Sequence, residues 1–196
     1  PRAVYLSYGI IFYYTFSDTL TSVSNCTIGN SNYIVSSGIP KMSLVASVCL
    51  ENITKFFIRY VVFVALCTAV YKIKAWGLVY APLFSLPLIS LGLSIGLMIN
   101  IFCVFVKDLL NIVQALSFYL LFVSGVFLVL PNEGLIYSVL KTSPLYILIT
   151  ISRDLVLLLD NTNLNALLIT VTLCLILLPF SVLGFYRSEK FVNSYL

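Results

Sequence analysis

Glu51, Lys55 and Arg59 stand four residues apart inside a stretch that is otherwise largely apolar. On a helix that spacing stacks all three on one face, and Glu ahead of Lys is the favourable order for an i,i+4 ion pair. Charges inside a membrane-crossing segment cost about 3 kcal/mol each unless paired or wetted. This face therefore meets a partner helix as a structural ion-pair set, or lines a water-filled path. A further carboxylate, Asp18, is expected near the inner end of the preceding apolar segment, within reach of water. Other chemistries lack their residues. The chain has no histidine, the commonest general base and metal ligand. Cys26, Cys49, Cys67, Cys103 and Cys174 form no CxxC pair and mostly sit in apolar runs, where cysteine acts as a small hydrophobe. No phosphate-binding GxxxxGK[ST], zinc-protease HExxH or nucleophile-elbow GxSxG occurs. The sequons at Asn25 and Asn52 read as chance matches, the second within an apolar segment.

The elements that carry these residues are set by composition. Hydrophobic residues make up 61% of the 196 residues and charged ones 9%. Soluble domains have roughly 45–50% and 25%. So apolar a chain needs lipid as its solvent, and at about 20 residues per crossing it holds about five spans. The net charge of +4 comes from singly scattered residues, with no basic run of the kind that binds nucleic acid. The expected fold is an all-α polytopic membrane protein.

In chain order, residues 4–23 form the first span, crowded with aromatics. Tyr5, Tyr8, Phe12 and Phe16 recur at helical spacing. They serve either as packing and an interfacial belt, or as a surface on which sugar rings slide. Residues 24–41 are the longest polar stretch and read as a loop, with room for a short helix over 27–35. Residues 43–71 form the second span, and Lys72, Lys74 and Trp76 mark an interface. The third span covers 77–106, kinked by Pro82 and Pro87, with a GxxxG at Gly92 and Gly96 that lets another helix come close. Lys107-Asp108 is a charged turn. The fourth span covers 109–130, with Ser124-Gly125 as a packing notch. Residues 135–160, broken at Pro144 and carrying Arg153 and Asp154, fit two half-length helices that dip into the membrane and return. A tilted span with an off-centre break is the alternative. Residues 166–186 form the fifth span. Basic residues do not orient the chain. With the long loop cytoplasmic, Lys41, Lys107, Arg187 and Lys190 fall inside, and Lys72, Lys74, Lys141 and Arg153 outside.

The order of these pieces resembles the permease subunit of type-2 ABC exporters, in the polysaccharide, O-antigen and teichoic-acid export branch. The resemblance is carried by Gly92 and Gly96 followed by Lys107-Asp108, and by Ser124-Gly125 within an aromatic span and then Pro131. Next come Ser143-Pro144-Leu145 with Arg153 nine residues after the proline, and the closing Phe185-Tyr186-Arg187 run. Tyr8-Gly9 with its aromatics and the polar loop are similar to that family's second span and coupling helix. Lys107 stands where the family usually has Arg, and Ser143 where it has Asn. The chain starts at Pro1, and by this resemblance an interface helix and a first span precede it, for six spans in the intact subunit.

The resemblance implies a permease domain over 1–196 that is not itself an enzyme and binds no cofactor, in a bacterial inner membrane. Two such subunits would form a homodimer with two separate ATPase subunits, which use the ATP, and would export a lipid-linked polysaccharide. Residues 24–41 would be the cytoplasmic coupling loop, with Asn25, Asn30 and Tyr33 meeting the ATPase beside Lys107 and Asp108. Tyr8, Phe12, Phe118 and Phe122 would line the translocation path. Residues 135–160 would be an extracytoplasmic re-entrant pair, with Pro144 and Arg153 at the outer gate. Two other functions share these features: a type-2 exporter of drugs or lipids, and a membrane-embedded glycan-processing enzyme built around Glu51, Lys55 and Arg59.

Overall fold

The computed structural model describes residues 2–30, 41–69, 77–106, 108–126, 142–156 and 163–192. Among these every regular element is helical. We label them α1 (Arg2–Gly29), α2 (Lys41–Ala69), α3 (Gly77–Tyr80), α4 (Ser85–Phe105), α5 (Leu109–Val123), α6 (Pro144–Val156) and α7 (Leu164–Val192). A 3-10 turn over Ala81–Phe84 joins α3 to α4. Pro82 falls at its start, where the missing N–H is tolerated, so the expected kink is a tightened turn.

Among the described residues three stretches are long and apolar enough to cross a bilayer: Lys41–Ala69, Gly77–Phe105 and Leu164–Ser188. Their outer faces expose Ile58, Val61 and Leu66 on α2, Met98 and Phe102 on α4, and Ile169, Ile176 and Phe180 on α7. Apolar cover this broad belongs against lipid. The described residues thus belong to an all-helical membrane protein, with three long apolar helices among them.

The first and fourth expected spans differ from the sequence reading. α1 is 28 residues, about 42 Å, and so has the length to cross, but it is rich in Ser and Thr. Their hydroxyls are turned onto the helix's own carbonyls: Thr15 donates to Ile11 O at 2.8 Å, Thr19 to Thr15 O at 2.7 Å and Ser24 to Leu20 O at 2.7 Å. That back-bonding lets a polar sequence sit inside a bundle. α1 also runs past residue 23 to Gly29, so Asn25 and Thr27 are helical rather than loop, and Asp18 lies mid-helix rather than near an end. The remainder of the expected coupling loop, 31–40 with Tyr33, lies outside the described residues, as does Lys107. α5 is only 15 residues, about 22 Å. It stops at Val123 because Ser124 caps it and Gly125 turns left-handed at φ +74°. The Ser-Gly pair is thus a helix terminus, not a mid-span notch. A side chain on Gly125 would also overlap the Tyr146 ring.

α1 is the axis of the bundle and packs against α2, α4, α5 and α6. Gly92 and Gly96 are the seam with α4. A Cβ on Gly92 would stand 3.0 Å from Phe16 O, and one on Gly96 3.0 Å from Val23 Cβ. The GxxxG is therefore a true close-approach face. One turn on, buried Asn100 accepts from the Thr27 hydroxyl at 2.7 Å and donates to Val23 O and Ser24 O at 2.9 Å. The pairings rise together along α1 and α4, so these two helices are parallel. Tyr8 meets Phe63 and Phe12 meets Phe56, so α2 is antiparallel to α1. Tyr13 bonds Ser117 O while Gly9 faces Val126, so α5 is antiparallel too. In chain order α1, α2, α4 and α5 therefore alternate in direction.

Candidate functional site

The charged and aromatic side chains gather at two places along α1. The first is its seam with α2. Every third or fourth residue of α2, from Asn52 through Phe56, Tyr60 and Phe63 to Cys67, is buried, as a helix laid on a neighbour requires. Tyr8 stacks on Phe12 with centroids 4.2 Å apart, Phe12 meets Phe56 edge-on at 5.6 Å, and Phe56 stacks on Tyr60. Such pairs contribute about 1 kcal/mol each beyond the area they bury. The Tyr60 hydroxyl bonds Leu78 O and ties this ladder to α3.

Tyr8 and Phe12, expected on the translocation path, are fully buried within the subunit. Their face of α1 is the one α2 covers, so they pack rather than line an opening. Phe118 and Phe122 differ: they project from α5, largely exposed, with rings 5.6 Å apart.

The charged face of α2 is split. Lys55 Nζ lies 2.7 Å from Glu51 Oε1, the expected i,i+4 pair, on the outside of the bundle. Arg59 turns instead to α1, where its Nη2 reaches Asp18 Oδ2 at 2.6 Å and its guanidinium sits 5.8 Å from the Tyr14 ring. Asp18 and Arg59 each supply the other's counter-charge in a low-dielectric setting. No spacing rule links positions on two different helices, so the partnership is invisible in the sequence. Of the two sequons, Asn52 is buried on α2 and Asn25 is helical, which fits chance matches.

The second place is α6. It has 13 residues, about 20 Å, against a hydrocarbon core of about 30 Å. Pro144 opens it, as proline can at a first helical position, and the Ser143 hydroxyl receives the Tyr146 N–H at 3.3 Å. α6 keeps to one end of the bundle, with Arg153 against Tyr5, Tyr146 under Gly125 and Val156 under Gly77. α5 finishes at this same end, with Val126 against Gly9. α7 touches α6 here and carries Phe185 to the opposite end, into the cluster of Val23, Cys26 and Leu97. From α5 to α7 the chain thus leaves one end of the bundle and sets out again from it. The described half of the broken segment is one short helix held at that end. Its first half lies outside the described residues.

Arg153 is 2% exposed, the most deeply placed charge near this end. Its guanidinium carbon lies 3.4 Å from the Tyr5 ring centroid, and Nε is 4.0 Å from Asp154 Oδ1. A Cβ on Gly9 would crowd Val126 Cγ1 at 3.1 Å and stand in ordinary contact with Arg153 Nη1 at 3.6 Å. Among the described residues Nε and Nη1 have no hydrogen-bond acceptor. A buried cation so incompletely satisfied among the described residues costs stability, which makes Arg153 a candidate functional residue.

The expected ATPase-facing residues sit away from Arg153. Asn25 is exposed near the end of α1, Asn30 donates to Cys26 O at 2.9 Å, and Asp108 is an exposed residue just ahead of α5. The structure therefore separates two sets: Asn25, Asn30 and Asp108 at one end, and Pro144 and Arg153 at the other. No family model matches this sequence, and no curated protein matches it.

Proposed function

We propose that this chain is the membrane-spanning permease of an ATP-driven exporter that moves a lipid-linked polysaccharide across a bacterial inner membrane. Two copies would work with two separate ATPase subunits. The observation that carries the reading is α6: a half-length helix, held at one end of the bundle against α1 and α7, with a buried arginine on it. A gate at the exit of a path needs an element that enters the membrane without crossing it. Exposed Asn25 and Asp108, with half-buried Asn30, at the opposite end supply the surface a cytoplasmic ATPase would grip. Exposed Phe118 and Phe122 supply aromatic faces toward a second subunit or a passing glycan. ATP would be bound and hydrolysed by the partner, and this chain would convert movement at its cytoplasmic end into opening near α6.

The test is site-directed cysteine chemistry on the full-length protein with its native cysteines replaced. Thr142, exposed just ahead of α6, should take a membrane-impermeant maleimide from outside the cell. A cysteine at Asn25 should crosslink to a co-expressed ABC ATPase. Labelling of position 142 from the cytoplasm, or no ATPase crosslink, would remove the exporter reading.

A further inference from the structure

One ion pair of α2 faces away from the bundle. Lys55 Nζ meets Glu51 Oε1 at 2.7 Å, with the two side chains 42% and 59% exposed. The pair is also deep. Lys55 is the middle residue of the 29 in α2. The neighbouring helices set the same depth. Val45 packs with Val23, Cys26, Leu97 and Phe185. At that level α4 and α7 still turn Met98, Phe102 and Leu183 outward. Glu51 and Lys55 lie about 9 and 15 Å further along α2, toward the middle of the membrane. Charges at that depth are held against protein or water, because hydrocarbon is too costly a neighbour.

We propose that this face of α2 is where two copies of the chain meet, with Glu51 of each copy bonding Lys55 of the other. The charges are self-complementary. Two copies in one membrane orientation are related by a two-fold axis along the membrane normal, which keeps like residues at equal depth. Helical side chains lean toward the helix N-terminus, and Lys55 already reaches back to the level of Glu51 in its own chain. It therefore stands level with Glu51 of the second copy too. Within one copy the pair is open and of small worth. Between two copies each charge gains a second counter-charge, and the four close a ring of alternating sign. The rest of the face suits close packing. Ala46 and Ser47 are small and exposed, and the hydroxyls of Ser47 and Thr54 are spent on Leu44 O at 2.8 Å and Glu51 O at 2.7 Å. An unrelated helix would need an acid and a base at matching depths, whereas a second copy has them by symmetry. The inference deepens the two-copy assembly proposed above by naming its contact face. Its test does not involve the ATPase, so either reading can fail alone.

The test uses the full-length protein in membranes, with its native cysteines replaced. Ser47→Cys and Thr54→Cys should each crosslink copy to copy under copper phenanthroline, and Ile169→Cys, outward on α7, should not. Glu51→Lys and Lys55→Glu, carried on differently tagged copies, should each weaken self-association about tenfold, and an equal mixture of the two should restore it. Only pairing between copies produces that rescue. The crosslinks keep the native charges, so they decide the matter even where a charge variant fails to assemble. No crosslink at positions 47 and 54, a crosslink as strong at 169, or a mixture that is not rescued would overturn the proposal. Labelling of Thr54→Cys by a water-soluble methanethiosulfonate without any crosslink would overturn it too, and would assign the pair to a water-filled path.

Discussion

At the scale of single residues, the two ion pairs of α2 look alike in sequence and differ in worth. Glu51–Lys55 is mostly exposed, at 59% and 42%, so a double-mutant cycle should give about 0.3–0.5 kcal/mol. Asp18–Arg59 joins two helices over a 2.6 Å hydrogen-bonded contact, and its coupling should exceed 1 kcal/mol even after allowance for its partial exposure. Reversible unfolding in mixed micelles measures both, and equal couplings would deny the inter-helix pair its role. Arg153 makes the opposite prediction. Its Nε and Nη1 lack acceptors among the described residues, so Arg153→Met should leave the melting temperature unchanged or raise it while abolishing the export proposed above. A melting temperature that falls by several degrees would show that the cation is there for the fold. The Glu51–Lys55 pair was legible because both residues lie on one helix. Arg59's partner was not, because Asp18 is 41 positions away.

At the scale of elements, the seam between α1 and α4 depends on atoms that are missing. Gly96→Leu would drive a side chain into Val23 and Leu20 O, and should cost about 1–3 kcal/mol or prevent assembly. Gly184→Leu, in open space on α7, is the matched control and should change stability by no more than about 0.5 kcal/mol. A thermal shift assay on the two variants distinguishes them, and equal losses would count against the seam. Asn100→Leu removes a donor and an acceptor at once, leaves Thr27 without its partner in the core, and should cost about 1–3 kcal/mol. The glycine spacing was readable. The extent of α1 was not: a Ser/Thr-rich end reads as a loop unless its hydroxyls are known to fold back on their own helix. The sequence pattern overstates α5 because an apolar run continues past Gly125, whereas the backbone turns left-handed there.

At the scale of the molecule, the antiparallel and parallel pairings along α1 set two ends apart. Ala3, exposed at the start of α1, lies on the side of α6, and Asn25 on the side of Asn100 and Phe185. Cysteines at Ala3 and Thr142 should therefore react from the same side of the membrane, and one at Asn25 from the other. Impermeant-maleimide labelling of intact cells against inverted vesicles checks this. Positions 3 and 25 labelled from one side would mean that α1 does not cross.

Composition alone determined that lipid is the solvent, because 61% apolar residues exceed what a water-facing surface can accommodate. Helical periodicity and the GxxxG determined which faces meet. Tertiary structure alone decided that Tyr8 and Phe12 are core, since burial depends on which neighbour covers a face and not on the face itself. It alone decided that Arg59 serves α1 rather than Lys55's row, and that the helix from Pro144 stays at one end of the bundle. These are relations between distant segments. They are set by how the helices pack, and no local pattern of residues encodes them.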